Sequence, residues 1–170
     1  ENSKTHFFSN SKFDLENSIF KNSSIEMNLE QVSNDTYLKA YKLDSPLIKD
    51  TSTLNSYIDF TGSNDDLSFE TSIEVYEDLT KEKDSDAHQY IFPNFQLNKI
   101  LYSEKNINGL LEFNSSGNQK KYDTNITETS LINNINYKSF PLYSNKGLLS
   151  DYALLLKNVN TDSKNSTKYK

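Results

Sequence analysis

The chain has no cysteine, only two histidines, fewer basic than acidic side chains, and no long apolar run. Without cysteine there are no disulfides, thiolate metal sites or cysteine nucleophiles. His6 and His88 lie far apart, and no neighbouring motif makes either a catalytic base or a metal ligand. His88 is expected to be a solvated residue of a charged loop. A net charge of −6 argues against nucleic acid, whose binding leans on a basic surface. No window holds the roughly 18 apolar residues of a membrane helix. The chain begins at Glu1 without a charged-then-apolar leader, so an export signal is expected to lie upstream or to have been removed.

Hydrophobic residues are also scarce, at 34% with a mean hydropathy of −0.76. Such a composition usually signals disorder, yet 11 Tyr and 10 Phe are more aromatics than a disordered chain carries. Periodicity resolves the conflict. From Leu67 to Asp78, Leu, Phe, Thr, Ile and Val take odd positions while Ser, Glu and Tyr take even ones. Side chains alternate faces along a strand, so this segment has one apolar and one acidic face. Leu54 to Thr61 does the same with reversed parity, and only Ser63-Asn64-Asp65-Asp66 separates the two. These arms of a hairpin exceed the usual soluble strand of about 5–6 residues and suit the ~9–11 that a tilted strand needs to cross a bilayer.

Further strands are expected over Lys4 to Leu15, Ile25 to Glu30, Tyr90 to Asn98, around Leu111 and Phe113, over Thr127 to Ser139, and over Leu148 to Val159. Pro93 removes a ladder donor and should bend its strand. The polar connection Asn34 to Ser52 contains a possible turn of helix at Tyr37 to Tyr41. The fold class expected is all-β: an antiparallel up-and-down transmembrane β-barrel fragment of about eight long strands, an open sheet in isolation. Connections near 16–22, 63–66, 103–108 and 140–146 read as short, 34–52 and 80–89 as long, and 119–126 as intermediate. Barrels of the outer membrane have short periplasmic turns and longer external loops, which suggests an orientation. Leu148, Leu149, Leu154, Leu155 and Leu156 leave the last strand apolar on both faces, as if it met a plug or another protein layer.

The alternation assigns candidate residues. Glu26, Glu30, Asp59, Glu70, Glu74, Asn94, Gln96, Asn98, Glu112 and Asn114 are expected to face a hydrated lumen. Leu54, Ile58, Phe60, Leu67, Phe69, Ile73, Val75, Phe95, Leu97, Leu111 and Phe113 are expected to face lipid. The polar set is most simply a wetted wall; its functional version is a path for sugar head groups or a dock for a partner. Tyr76, Tyr90, Tyr102, Tyr122, Tyr137 and Tyr143 fall near strand ends, where interfacial girdles form, although Tyr is also simply a good strand residue. Asp65-Asp66 and Asp84/Asp86 lack the Gly and terminal Glu of an EF-hand loop, so no metal is assigned. Asn-x-Ser/Thr matches at Asn22, Asn34, Asn114, Asn125 and Asn165 are taken as chance.

Several segments, in order, resemble the β-barrel portion of LptD, the lipopolysaccharide-assembly or organic-solvent-tolerance family. They are Ser33-Asn34-Asp35-Thr36-Tyr37-Leu38, Tyr90-Ile91-Phe92-Pro93, Tyr122-Asp123-Thr124-Asn125, Leu131-Ile132-Asn133-Asn134 with Tyr137 and Ser139, and Leu155 to Asp162. The family's pattern has Asp where Asn34 stands. The resemblance spans roughly Ser33 to Lys170 and implies that residues 1–170 are part of one outer-membrane barrel domain of a Gram-negative bacterium. The periplasmic domain and remaining barrel strands, with the lateral gate, then lie outside this chain. It further implies a non-enzymatic role without cofactor: insertion of lipopolysaccharide into the outer leaflet, with an LptE-type lipoprotein plug and periplasmic bridge proteins as partners. A soluble secreted β-sheet binding module, such as an adhesin or carbohydrate-binding domain, and a porin-like outer-membrane barrel are the alternatives.

Overall fold

The structure, a computed structural model, describes residues 4–41, 46–48, 50–81, 85–104 and 108–166. Seven long strands follow in order: β1 (His6–Asp14), β2 (Asn22–Val32), β3 (Thr53–Ser63), β4 (Leu67–Asp78), β5 (His88–Glu104), β6 (Gly109–Tyr122) and β7 (Thr127–Ser139). After a small ribbon of β8 (Leu142–Tyr143) and β9 (Leu149–Ser150) comes the eighth long strand, β10 (Ala153–Lys164). The only described helix, α1 (Tyr37–Tyr41), coincides with the turn expected from the sequence.

The eight long strands form one antiparallel sheet in the order β1-β2-β3-β4-β5-β6-β7-β10, an up-and-down meander that does not close. β1 and β10 are its edges. No helix is long and apolar enough to cross a membrane, which says nothing about crossing by strands.

Each residue shares a face with its partner directly across the ladder, so the register carries one alternation through the whole sheet. Glu26 pairs with Asp59 and Asp59 with Ser72, while Ile58 pairs with Ile73. A one-residue slip at any ladder would mix the faces. Pro93 supplies the expected irregularity: the register shifts between Ser72 and Glu74 on one side and between Ile91 and Asn94 on the other, so β5 changes parity there while β4 and β6 keep theirs. Phe92-Pro93 is cis.

Little of this sheet is covered. The chain exposes 12241 Å², against about 8,600 Å² expected for a compact protein of its mass. Buried hydrophobic residues, among those described, are Tyr37, Leu38, Leu54, Leu79, Ala87 and Ile91. Four of them, Tyr37, Leu38, Leu54 and Leu79, form a small cluster at one end, with Phe8, Val32 and Ile48 packed against it.

That cluster sits where β2 and β3 part. Their ladder stops at Asn28–Tyr57, and side chains take over from backbone. Asn28 Nδ2 donates to Asn55 O at 2.7 Å, Asn55 N to Glu30 Oε2 at 2.8 Å, and Glu30 N to Ser56 Oγ at 3.0 Å. Tyr37 and Leu38 of α1, with Ile48, pack over Leu54 here. At the opposite end, Asn64 ties two connections together: its Oδ1 accepts from Lys21 N at 2.7 Å and its Nδ2 donates to Ile19 O at 2.8 Å.

The structure alters three features expected from the sequence. The last connection is 140–152 rather than 140–146, because Leu148 and Leu149 belong to the ribbon and not to the final strand. The connection expected at 119–126 shrinks to 123–126, since β6 runs on through Tyr122. Loop length therefore alternates over the first five connections and reverses at the last two. β5 starts at His88 and reaches Glu104, well beyond Tyr90 to Asn98.

Candidate functional site

The candidate site is the polar face of the sheet. All ten predicted polar-face residues share it by register: Glu26 and Glu30 on β2, Asp59 on β3, Glu70 and Glu74 on β4, Asn94, Gln96 and Asn98 on β5, and Glu112 and Asn114 on β6. The face divides along the strand order. Glu26, Asp59, Glu70 and Glu74 bring four carboxylates onto three adjacent strands, whereas β5 to β7 carry amides, with Asn98, Asn114 and Asn134 in one row. Lysines border the acids, Lys12 directly across from Glu26 and Lys120 one strand beyond Ile91, which itself pairs with Glu74.

Hydrogen bonds fix these carboxylates. Tyr57 Oη donates to Glu26 Oε1 at 2.5 Å, and Asn10 Nδ2 reaches the same oxygen at 3.2 Å. Glu74 accepts from Ser72 Oγ at 2.5 Å, Tyr76 Oη at 2.7 Å and Asn94 Nδ2 at 3.0 Å. A carboxylate held by three donors is a structural strut as much as a free charge. Glu30 is more committed still, because one of its oxygens accepts the Asn55 backbone N–H in the fork between β2 and β3. A cleft of about 500 Å³ opens at the end of the sheet near Asn64, lined by residues that include Asp14, Lys21, Ser24, Ser63, Glu70 and Gln96. Leu15 and Phe69 also line it, but hydroxyl, amide and charged groups predominate, which suits a hydrated ligand.

The eleven predicted apolar-face residues lie on the opposite face. Ile58 and Ile73 face each other at its centre, 47% and 46% exposed. Phe69 pairs with Leu97, Thr71 with Phe95, and Phe113 with Ile135. Leu67, Val75, Phe60 and Leu111 complete it. Leu54 has the right parity, but at 2% exposure it is a core residue, because Tyr37, Leu38 and Ile48 pack over it. Three glycines of this face lie under aromatic rings. A Cβ on Gly62, Gly117 or Gly109 would come within 2.8 Å of Phe20, Phe95 or Tyr137 respectively. Short strand positions roofed by rings keep the apolar surface continuous.

Other placements sharpen the reading. Of the tyrosines near strand ends, Tyr90, Tyr102 and Tyr137 are on the apolar face; Tyr76 and Tyr122 are on the polar face, and Tyr143 is in the ribbon. His88 is not a solvated loop residue. It opens β5, its backbone N and Nδ1 both meet Asp123 Oδ2, at 2.9 and 3.1 Å, and Nε2 is 3.7 Å from Glu77. Asp65 pairs with Lys21, and Asp66 with Lys99 at 2.5 Å. The Lys99 hydrogen bond holds the Asp66 carboxyl below its usual range, and the Thr124 side chain and backbone do the same for Asp86. Asp84 lies outside the described residues. Among the described residues, no group of three or more His, Asp or Glu is placed to hold a metal.

Sequence reasoning missed the fork, the glycine–ring contacts and the ribbon. The first two depend on which residues face each other across ladders. The ribbon had a local signal, Leu-Tyr and Leu-Leu flanking Ser144-Asn145-Lys146-Gly147. No family model matches this chain, and none of the curated proteins or solved structures compared with it matches either.

Proposed function

We propose that the chain is a stretch of outer-membrane β-barrel wall of the LptD type, with the Ile58–Ile73 face toward lipid and the Glu26–Glu74 face toward a water-filled interior. One observation carries this reading. In an eight-stranded antiparallel sheet, the central strands β2 to β6 keep apolar and polar side chains on opposite faces, and among the described residues no second layer of protein covers either face of these strands beyond the small cluster at Leu54. A soluble sheet must bury its apolar face against another layer, whereas a barrel wall leaves that face to hydrocarbon. Strands of 9 to 17 residues are long enough for the crossing. The sequence resemblance supplies the cargo: lipopolysaccharide received from periplasmic bridge proteins and delivered to the outer leaflet, with an LptE-type lipoprotein inside the barrel. The polar face is then a wall for hydrated sugars. Its carboxylates, held by Tyr57, Tyr76, Ser72 and Asn94, discourage an anionic cargo from sticking.

These 170 residues contain no tryptophan, so each of their positions can be probed singly, with the unsubstituted protein as the emission baseline. Single tryptophans at Ile73 and Phe113 on one face, and at Gln96 and Ser116 on the other, are placed in the full-length protein in vesicles containing brominated phospholipid. Quenching at the first pair and not the second is expected; no quenching at either sinks the membrane reading and returns the chain to the soluble binding-module class. A photo-crosslinking residue at Asn114 then tests the cargo in cells. A lipopolysaccharide adduct supports the LptD reading, and its absence from a correctly quenched barrel favours a porin-like channel.

A further inference from the structure

The β8–β9 ribbon stands apart from both faces. Its base is fixed: Ser139 N donates to Tyr152 O and Tyr152 N donates to Ser139 Oγ, each at 2.8 Å, while Phe140 N donates to Asn108 O at 2.8 Å. Ser139 itself is buried, and the Tyr137 and Tyr152 rings pack with centroids 5.7 Å apart. The turn is equally well built. Ser144 N bonds Leu148 O at 2.8 Å, Gly147 N bonds Ser144 O at 2.9 Å, and Gly147 holds a φ of 79°. The left-handed region admits glycine without strain.

Between this base and turn the side chains are apolar and uncovered. Tyr143 pairs with Leu149 on one side of the ribbon, and Leu142 with Ser150 on the other. Tyr143 is 81% exposed, Leu148 69% and Leu149 61%. A two-stranded ribbon this small has no stability of its own in water. A protein groove would cover one side. Apolar groups on both sides call for a medium that surrounds the ribbon.

Charge points the same way. Lys146, at the tip, and Asp151, at the base, are the only charged residues from Ser139 to Tyr152. A cation at the tip, among Tyr and Leu and apart from the acid at the base, complements phosphate at a bilayer interface. Neighbouring connections at the same end are different in kind: they are knitted by the Lys21–Asp65 and Lys99–Asp66 ion pairs.

We propose that the β8–β9 ribbon is a lipid-interface anchor, which immerses Leu142, Tyr143, Leu148 and Leu149 at the acyl boundary and sets Lys146 against lipid phosphate. This rests on the membrane reading above. It adds to the barrel wall a separate element that fixes the height and rotation of this end of the sheet in the bilayer.

The test places single tryptophans at Leu142, Tyr143, Leu148 and Leu149 in the full-length protein, in vesicles of phosphatidylglycerol and phosphatidylethanolamine with bromines at a shallow acyl position. Ile73→Trp and Ser116→Trp report on the wall in parallel vesicles of the same lipids with bromines at a deep acyl position. The anchor predicts that all four ribbon positions lose most of their emission and shift to the blue, and that Lys146→Glu weakens this at each of them. If Ile73→Trp is quenched and the ribbon positions are not, the anchor is wrong and the barrel stands. If quenching reaches Tyr143 and Leu149 but spares Leu142, the ribbon lies against protein on that side and the anchor is again wrong. If Ile73→Trp is itself unquenched, the failure belongs to the membrane reading.

Discussion

A lysine at Ile73 separates a lipid-facing wall from a wet sheet by the size of its cost. Ile73 lies near the middle of β4, opposite Ile58 and about half exposed. In water the loss is limited to the half of the side chain that is covered. Full burial of such a residue is worth ~1.5–3 kcal/mol, so Ile73→Lys would cost about 1 kcal/mol. In a bilayer the same ammonium faces hydrocarbon, and lysine on the lipid face near the midplane of a barrel costs about 2–4 kcal/mol. Ser116→Lys on the polar face, between Gln96 and Ile132, is the matched control and should cost under about 1 kcal/mol in either medium. Guanidinium titration of the full-length protein in phospholipid vesicles, followed by circular dichroism, measures both. Equal costs for the two lysines, with Ile73→Lys near 1 kcal/mol, would refute a hydrocarbon environment for this face.

Two further outcomes follow from local geometry. Gly117→Ala places a Cβ 2.8 Å from the Phe95 ring and 2.9 Å from the Ser130 carbonyl, and backbone cannot step aside as a side chain can. The cost should be about 1–3 kcal/mol, read from the same titration, and exceed that of Gly62→Ala, where the close atoms belong only to the Phe20 ring of a connection. Acid should loosen the β3–β4 turn. Because Lys99 lowers the Asp66 carboxyl from its ordinary value of 3.8, the pair contributes above that value and is lost as pH falls through the lowered one. Hydrogen exchange at the Ile100 amide, which donates to Asp66 O at 2.7 Å, should therefore lose protection only below about pH 4. In Asp66→Asn that pH dependence should vanish; its survival would place the cause elsewhere.

Strands with alternating or clearly bounded apolar patterns were legible from sequence because their signal is local. Leu67 to Asp78 and Thr127 to Ser139 coincide with β4 and β7, and α1 falls where the Tyr37 segment suggested. Pro93 announced its bulge for the same reason: a missing donor is a property of one residue. Strand ends were less legible, since β5 and β6 extend through Lys99 to Glu104 and Gln119 to Tyr122, where pairing with a neighbour, not side-chain pattern, keeps the chain extended.

The amino-acid order by itself determined that this protein is two-faced. Parity alone sorted Glu26, Asp59, Glu70 and Glu74 from Ile58, Phe69, Ile73 and Phe113, because side-chain direction in a strand has a period of two and needs no partner. Only the tertiary structure decided which of these residues meet. Register aligned Glu26 with Asp59, assembled the amide row, and set Phe95 over Gly117. Packing of Tyr37, Leu38 and Ile48 took Leu54 out of the exposed apolar face, and a pinned base at Ser139 set the ribbon apart from the sheet. Those outcomes depend on contacts between residues distant in the chain, and a periodic pattern holds no information about distance.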